Sequence, residues 1–257
     1  MDLSYKESLD RLQVRIRAHK EFANFDVSDW IEAFARRRPR RAILDLGCGN
    51  GNHLGIYLGA VAPGGLVAGL DREARLIAEA RAAYPAADHL DLRVGSMDDR
   101  LPWADGTFDL CFSNFAIYNA ANPRATLTEL RRVLAPGGQL VLIGPTRNNA
   151  RELYVYNERL TGRAIDEITL IRTDRIRQEI LPIVNELFPA VEQEVLNSFL
   201  TFPDREEFLR YFCSTQLYEG TAEKRGLTRP ELEAAQPQER DIILSKEMLA
   251  LVATQQR

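Results

Sequence analysis

The stretch Ile43-Leu44-Asp45-Leu46-Gly47-Cys48-Gly49-Asn50-Gly51-Asn52 constrains this 257-residue chain more than any other. An apolar run ends in a glycine at every second position, and a helix-like segment follows. A buried parallel strand delivers its last residue into a tight turn in this way. Glycines there allow φ > 0 and remove side chains, so a ligand can approach the backbone. The next helix presents free N–H groups at its start. Asp71 ends the following apolar run, Leu66–Leu70, about 20 residues on, where an acid can accept two hydroxyl hydrogen bonds from a ribose. Glycines plus a downstream acid predict a site for an adenosine-containing ligand.

The pattern around this turn alternates strand and helix. Ala42–Leu46, Leu66–Leu70, Leu90–Val94, Phe108–Ser113 and Gln139–Ile143 read as strands. Asn52–Ala62, Arg72–Tyr84 and Pro123–Leu134 read as helices between them, with turns at Pro63-Gly64-Gly65 and Pro136-Gly137-Gly138. Short apolar strands joined by helical crossovers predict an α/β fold, a doubly wound, mostly parallel sheet. Two helices come first. Residues 4–20 are amphipathic, with Tyr5, Leu9, Leu12, Ile16 and His19 on one face. Asp26 or Ser28 caps a second helix through Trp30, Ile31, Phe34 and Ala35. After Gly144 the alternation breaks into a helical insertion, Asn148–Leu160 and then Thr173–Leu187, divided at Pro182. Val191–Phe202 reads as a long strand, and Asp204-x-x-Glu207 opens a short helix. A further helix can start at Thr228-x-Pro230-Glu231, and Glu247–Thr254 closes the chain as a strand. One domain is expected over 1–257: lid helices in 1–38, a ligand-binding core in 39–145, the insertion in 146–190, and strands with a helix in 191–257.

Which ligand the turn takes can be argued from two residues. A dinucleotide fingerprint needs G-x-G-x-x-G, and its third glycine position is Asn52 here. Asp45, inside the strand, repels a pyrophosphate and holds a cationic amino-acid moiety. The formal net charge of −4 argues against a dedicated nucleic-acid binder. Cys48, Cys111 and Cys213 form no C-x-x-C pair, and His19, His53 and His89 match no ligand spacing, so no metal is expected. The start, MDLSYKESLD, has no apolar leader pattern, and no apolar run approaches ~20 residues; a cytoplasmic protein without membrane partners is expected.

Leu44-Asp45-Leu46-Gly47-Cys48-Gly49-Asn50-Gly51 resembles motif I of the class I S-adenosylmethionine-dependent methyltransferases, in their small-molecule type. Gly69-Leu70-Asp71 is similar to their second motif. Val94-Gly95-Ser96-Met97-Asp98, with Leu101-Pro102-Trp103 and Gly106-Thr107-Phe108-Asp109, resembles the stretch around adenine. Leu130–Gly138 resembles the helix-turn before the fifth strand. The resemblance implies a seven-stranded, Rossmann-like sheet whose last two strands form an antiparallel return. It also implies S-adenosylmethionine as cofactor and S-adenosylhomocysteine as product. The glycine turn, with Asp45, Cys48 and Asn50, would hold the methionine portion, and Asp71 with Arg72 the ribose. Ser96, Met97 and Asp98 would line adenine, and Asn114 would lie near the sulfonium. Ser96 departs from the family, which often has Asp there.

The acceptor is less constrained. Asn114 is not in an Asn-Pro-Pro-Tyr arrangement, which lowers nucleobase acceptors. Phe115, Tyr118, Arg147 and Tyr154 follow the fourth and fifth strands and are substrate-binding candidates, together with Tyr5. Tyr118 also reads as a packed tyrosine, and Arg147 as a solvated arginine. His19 is the general-base candidate, with an ordinary pKa near neutrality; Tyr118 is the other catalytic candidate. Tyr154, Tyr156, Phe188, Phe202, Tyr211, Phe212 and Tyr218 can build an apolar pocket or pack as core. A covered site for a small-molecule acceptor is expected. An adenosyl-binding scaffold or cyclase without methyl transfer remains the alternative, and a dinucleotide-dependent oxidoreductase a weaker one. Oligomeric state is open, a homodimer being one arrangement.

Overall fold

The computed structural model describes residues 9–85, 87–164, 173–236 and 242–256. Seven strands form one sheet in the order β3-β2-β1-β4-β5-β7-β6. They are β1 Arg40–Leu46, β2 Val61–Asp71, β3 Leu90–Val94, β4 Phe108–Asn114, β5 Leu134–Pro145, β6 Ala190–Phe202 and β7 Ile242–Thr254. The first five pair in parallel, and β7 lies antiparallel to both β5 and β6. The helices are α1 Leu9–Phe22, α2 Val27–Ala35, α3 Leu54–Leu58, α4 Ala74–Ala83, α5 Pro123–Val133, α6 Arg151–Thr161, α7 Leu181–Leu187, α8 Arg205–Cys213 and α9 Arg229–Ala234.

Side chains alternate across a strand, so each apolar run feeds two faces. Ile43, Val67, Leu110, Phe112 and Val141 pack under α2, α3 and α4. Leu44, Ala68, Cys111, Leu140 and Leu142 pack under α5 and α7. The expected starts are capped: Asp26 accepts from Ser28 N–H, Asp204 from Glu207 N–H, and Thr228 pairs with Glu231 in a capping box.

Several boundaries differ from the sequence reading. The helix expected over 52–62 stops at Leu58, because Gly59 caps it and Val61 pairs with Arg40 as a strand. Both Pro-Gly-Gly segments are bulges within longer strands, with register breaks at Arg40/Ala42 and Phe108/Leu110 in their partners. Thr173–Leu187 divides as expected. A π-helical turn, Ile176–Ile180, runs directly into α7, and the change of helix type falls beside Pro182, which has no N–H to donate to the preceding turn.

The largest difference is the length of β7, which begins at Ile242 rather than Glu247. Its pairing with β5 ends at Pro145↔Met248, while its pairing with β6 continues to Phe202↔Ile242. The two strands therefore overhang the carboxyl edge of the parallel sheet as a ribbon. Leu200, Phe202, Ile242 and Leu244 on this ribbon join Ala18 of α1, Tyr156 of α6, and Phe208 and Phe212 of α8 in a separate apolar cluster. Helices α1, α6 and α8 thus rest on the overhang. Among the described residues no helix is long and apolar enough to cross a membrane.

Candidate active site

A cavity of about 510 Å³ runs along the carboxyl edge of the sheet, from the ends of β2 and β3 to the β6–β7 ribbon. Open α/β sheets bind ligands at this edge. The loops after β1, β2, β3, β4 and β5 all reach it, and Leu12, Ile16 and His19 of α1 cover it.

At the β1–β3 end, backbone geometry sets the site. Gly47 N–H donates to Leu70 O at 2.7 Å. Gly49 N–H donates to Asp71 Oδ2 at 2.9 Å, and Glu73 N–H to Asp71 Oδ1 at 2.9 Å. One carboxylate thereby ties the glycine turn to the start of α4, and each oxygen keeps a further lone pair. Gly47 sits at φ +81, and a Cβ there would lie 2.3 Å from Ala116 Cβ. Gly49 sits at φ +55 with nothing within 4 Å of a Cβ, so it faces open cavity. Gly51 does not line the cavity; a Cβ there would meet Leu54 Cδ1 at 2.8 Å, so it serves packing.

Asp45 is 2% exposed and lines the cavity, and among the described residues no side chain is ion-paired with it. Burial, and then repulsion from Asp71, raises its pKa to about 7. Asn114 donates through Nδ2 to Tyr57 OH at 2.8 Å, while its Oδ1 is buried without a partner. An unpaired carboxylate and an unpaired amide oxygen in one cavity are acceptors suited to a cationic ligand. That donor set fits an adenosyl cofactor with an amino-acid tail. Cys48, Asn50, Arg72, Ser96, Met97 and Asp98 line the same end. Ser96 and Asp98 also shape their own loop: Asp98 N–H bonds Ser96 Oγ at 3.1 Å, and Asp98 Oδ1 accepts from Asn122 N–H at 3.0 Å.

At the other end, side chains dominate. Phe115 lines the cavity at φ +56, a left-handed conformation uncommon for an aromatic residue. The Tyr118 ring lies over Gly144, where a Cβ would sit 2.9 Å from Tyr118 Cδ1. Arg175, buried in the insertion, donates to Tyr118 O at 2.7 Å and Ala120 O at 2.8 Å, and so holds this loop. His19 Nε2 is 3.5 Å from Tyr211 OH. Burial, then Lys246 and Arg15, push the His19 pKa down to about 3. The expectation of a histidine titrating near neutrality is therefore corrected: the imidazole is neutral and a weak base.

The remaining candidates lie elsewhere. Tyr5 is outside the described residues. Arg147 is exposed and lines a separate cleft with Asp174 and Glu247. Tyr154 bonds Thr173 and does not line the cavity. Of the seven aromatics that can build a pocket, only Tyr211 lines it. Sequence reasoning missed Arg15, Asn149, Lys246 and Met248, which do. Nothing in the local pattern marks Lys246; the overhang puts it there. Among the described residues no cluster suits a metal ion.

The family profile described as "Methyltransferase domain" matches residues 44–142. A malonyl-[acyl-carrier protein] O-methyltransferase of Enterobacter lignolyticus is 32% identical over 209 residues, covering 80% of this chain and 78% of that protein. The enzyme of the same name from Erwinia billingiae is 33% identical over 48% of this chain, but only 46% of its own length is matched. Several curated relatives are likewise spanned over less than half their length. The crystal structure of YcgJ from Bacillus subtilis shares the fold, with a TM-score of 0.60 at 14% identity, over 90% of this chain and 98% of that one. Motif order, strand order and these matches agree: the chain belongs to the class I S-adenosylmethionine-dependent methyltransferase family.

Proposed function

We propose that this chain takes a methyl group from S-adenosylmethionine and transfers it to a small-molecule acceptor in the edge cavity. The observation that carries this reading is Asp45, a buried carboxylate with no counter-ion, set beside a glycine turn that opens into the cavity. When bound, the cofactor supplies a methyl carbon already activated by a sulfonium, so the S–C bond breaks as the acceptor–carbon bond forms and the electron pair returns to sulfur. Asp45, Asn114 and the turn at Gly47–Asn50 hold the methionine portion. Asp71 takes the ribose hydroxyls, and Ser96, Met97 and Asp98 face adenine.

The protein's own work is orientation, which can supply much of the acceleration in a displacement of this kind. The loop at Phe115–Tyr118 holds the acceptor, and Arg175 holds the loop. Helix α1 excludes water and limits the acceptor to a small molecule. His19, neutral and a weak base, serves as a hydrogen-bond partner of Tyr211 rather than as the general base. In this reading the four chain segments act as one domain.

Thermal melting with S-adenosylmethionine, S-adenosylhomocysteine, NAD and NADP tests the cofactor. A ligand at ~100 times its Kd should add about 2.7 kcal/mol of stability. Stabilisation by NAD, with none by the adenosyl ligands, would overturn the reading. Transfer of labelled methyl from the cofactor to an acceptor pool tests the reaction.

A further inference from the structure

The charges lining the cavity are sorted along its length. Asp45, Asp71, Glu73 and Asp98 stand at the cofactor end. Asp26 stands between the two ends: its charge acts on His53, just after the glycine turn, and it follows Phe25, whose carbonyl accepts from Ser198, the cross-strand partner of Lys246. Arg72, the cation at the cofactor end, lies 3.6 Å from Glu73. Arg15, Lys20 and Lys246 stand at the other end, on α1 and the β6–β7 overhang. Among the described residues no carboxylate is ion-paired with Lys246.

Lys246 Nζ donates to Tyr211 OH at 3.3 Å and lies 5.9 Å from the centre of that ring. Tyr211 OH in turn meets His19 Nε2 at 3.5 Å. Arg15, held by Ser214 O at 2.6 Å, adds a second positive charge beside His19. A neutral imidazole accepts from the tyrosine hydroxyl, and the tyrosine oxygen accepts from the lysine. The arrangement leaves an ammonium, half-buried and with no anion beside it among the described residues, facing the cavity.

We propose that the acceptor carries an anionic group, a carboxylate or a phosphate, seated on Lys246 and Tyr211 in the field of Arg15. This rests on the reading that the cavity is a methyl-transfer site. The anion anchors the acceptor and is not the methylated atom. Lys246 lies on β7, two strands across from Asn114 on β4 and four residues beyond Ala250, which stands level with Asn114 through Ile143. At ~4.8 Å per strand and ~3.3 Å per residue the two backbones stand roughly 16 Å apart, a gap that the two side chains span together with a small molecule carrying its nucleophile at one end and its charge at the other. A cationic acceptor meets repulsion from the same groups. Tyr211 comes from α8 and Arg15 from α1, so the anion also draws these two helices together over the ribbon.

Melting curves for the whole chain, with and without S-adenosylhomocysteine, test this with four probes: hydrocinnamate, phenyl phosphate, methyl hydrocinnamate and phenethylamine. The two anions should raise Tm, less so at high salt, and the ester and amine should not. The larger shift identifies carboxylate or phosphate as the natural group. Lys246→Met should weaken anion binding about tenfold or more, and Lys246→Arg should recover part of it. Both variants should keep the full shift from S-adenosylhomocysteine, which also shows that they fold. Equal stabilisation by the ester or amine, no shift from either anion, or an undiminished anion shift in Lys246→Met would overturn the proposal. Loss of the S-adenosylhomocysteine shift in the unaltered chain would instead remove the methyl-transfer reading, and the anion arms without it would still report on this subsite.

Discussion

The two ends of the cavity are built by different means. The cofactor end is made of backbone: two glycines, the ends of β1 and β2, and a carboxylate whose two oxygens hold main-chain N–H groups. The acceptor end is made of side chains from α1, the loop after β4, α8 and β7. A backbone site depends on local chain geometry and survives changes in distant packing. A side-chain site depends on how far a strand overhangs and on which helix rests against it. The first suits a ligand common to a family, and the second can change with the substrate.

Substitutions at the cofactor end should have the largest effects. Asp71→Ala removes the ribose acceptor and two main-chain hydrogen bonds at once. Hydrogen bonds to a charged group contribute about 1.5–3 kcal/mol each, so the adenosyl-ligand shift in melting should vanish. A retained shift would break the assignment of this end to the cofactor. Arg175→Ala should follow, at about 3 kcal/mol of unfolding free energy in denaturant titration, because a buried guanidinium holding two carbonyls is lost. Its effect on turnover should exceed its effect on cofactor affinity, since the loop it holds belongs to the acceptor end.

The glycine pair sharpens the comparison within one turn. Gly47→Ala forces a Cβ against Ala116 and should cost about 2 kcal/mol of stability. Gly49→Ala meets no neighbour and should cost nearer 1 kcal/mol, the penalty of a left-handed backbone alone. Its methyl enters the cavity, so cofactor affinity should fall while the fold persists. Paired melting and binding measurements separate the two.

A pH dependence separates the two ends in another way. Asp45 has its pKa raised to about 7 in the ligand-free fold, above the ordinary aspartate value. The native state therefore binds the extra proton, and this group's contribution to stability declines as pH rises from about 4 to 7. Cofactor binding has the opposite sign, because the cationic tail needs the ionised carboxylate. Affinity for S-adenosylhomocysteine should weaken as pH falls below 7, by at most about tenfold per unit, and level off above it. Asp45→Asn should flatten the profile. An unchanged slope would assign the titration to another group.

Sequence and structure divide along the same line as the two ends. The succession of strands through β5, the parallel core and the residues lining the glycine-turn end of the cavity were legible because each is written in a short stretch: an apolar run, a glycine turn, an acid at the next strand end. Gly51 shows the limit of that reading, since the motif marks it with its neighbours and only packing against Leu54 shows its different task. From the sequence, β7 starts at Glu247, five residues late: Ile242-Ile243-Leu244 carries a strand signal, but the polar Ser245-Lys246-Glu247 separates it from the apolar run that follows, and the strand there has only β6 as partner. His19 was visible as a residue but not as a weak base, since its burial and the approach of Lys246 come from the fold, while Arg15 is its neighbour one helical turn away on α1.

By itself, then, the sequence determined the sheet, its winding and the kind of cofactor that its first turn accommodates. These follow from hydrophobic period and from conformational freedom at named glycines, both local properties. The tertiary structure alone decided what lines the far end of the cavity. Lys246, Tyr211, Arg15 and His19 are separated by up to more than two hundred residues and converge because an overhanging ribbon gives α1 and α8 a surface to bury against. Their shared field is a property of that packing, and no segment of the chain carries it alone.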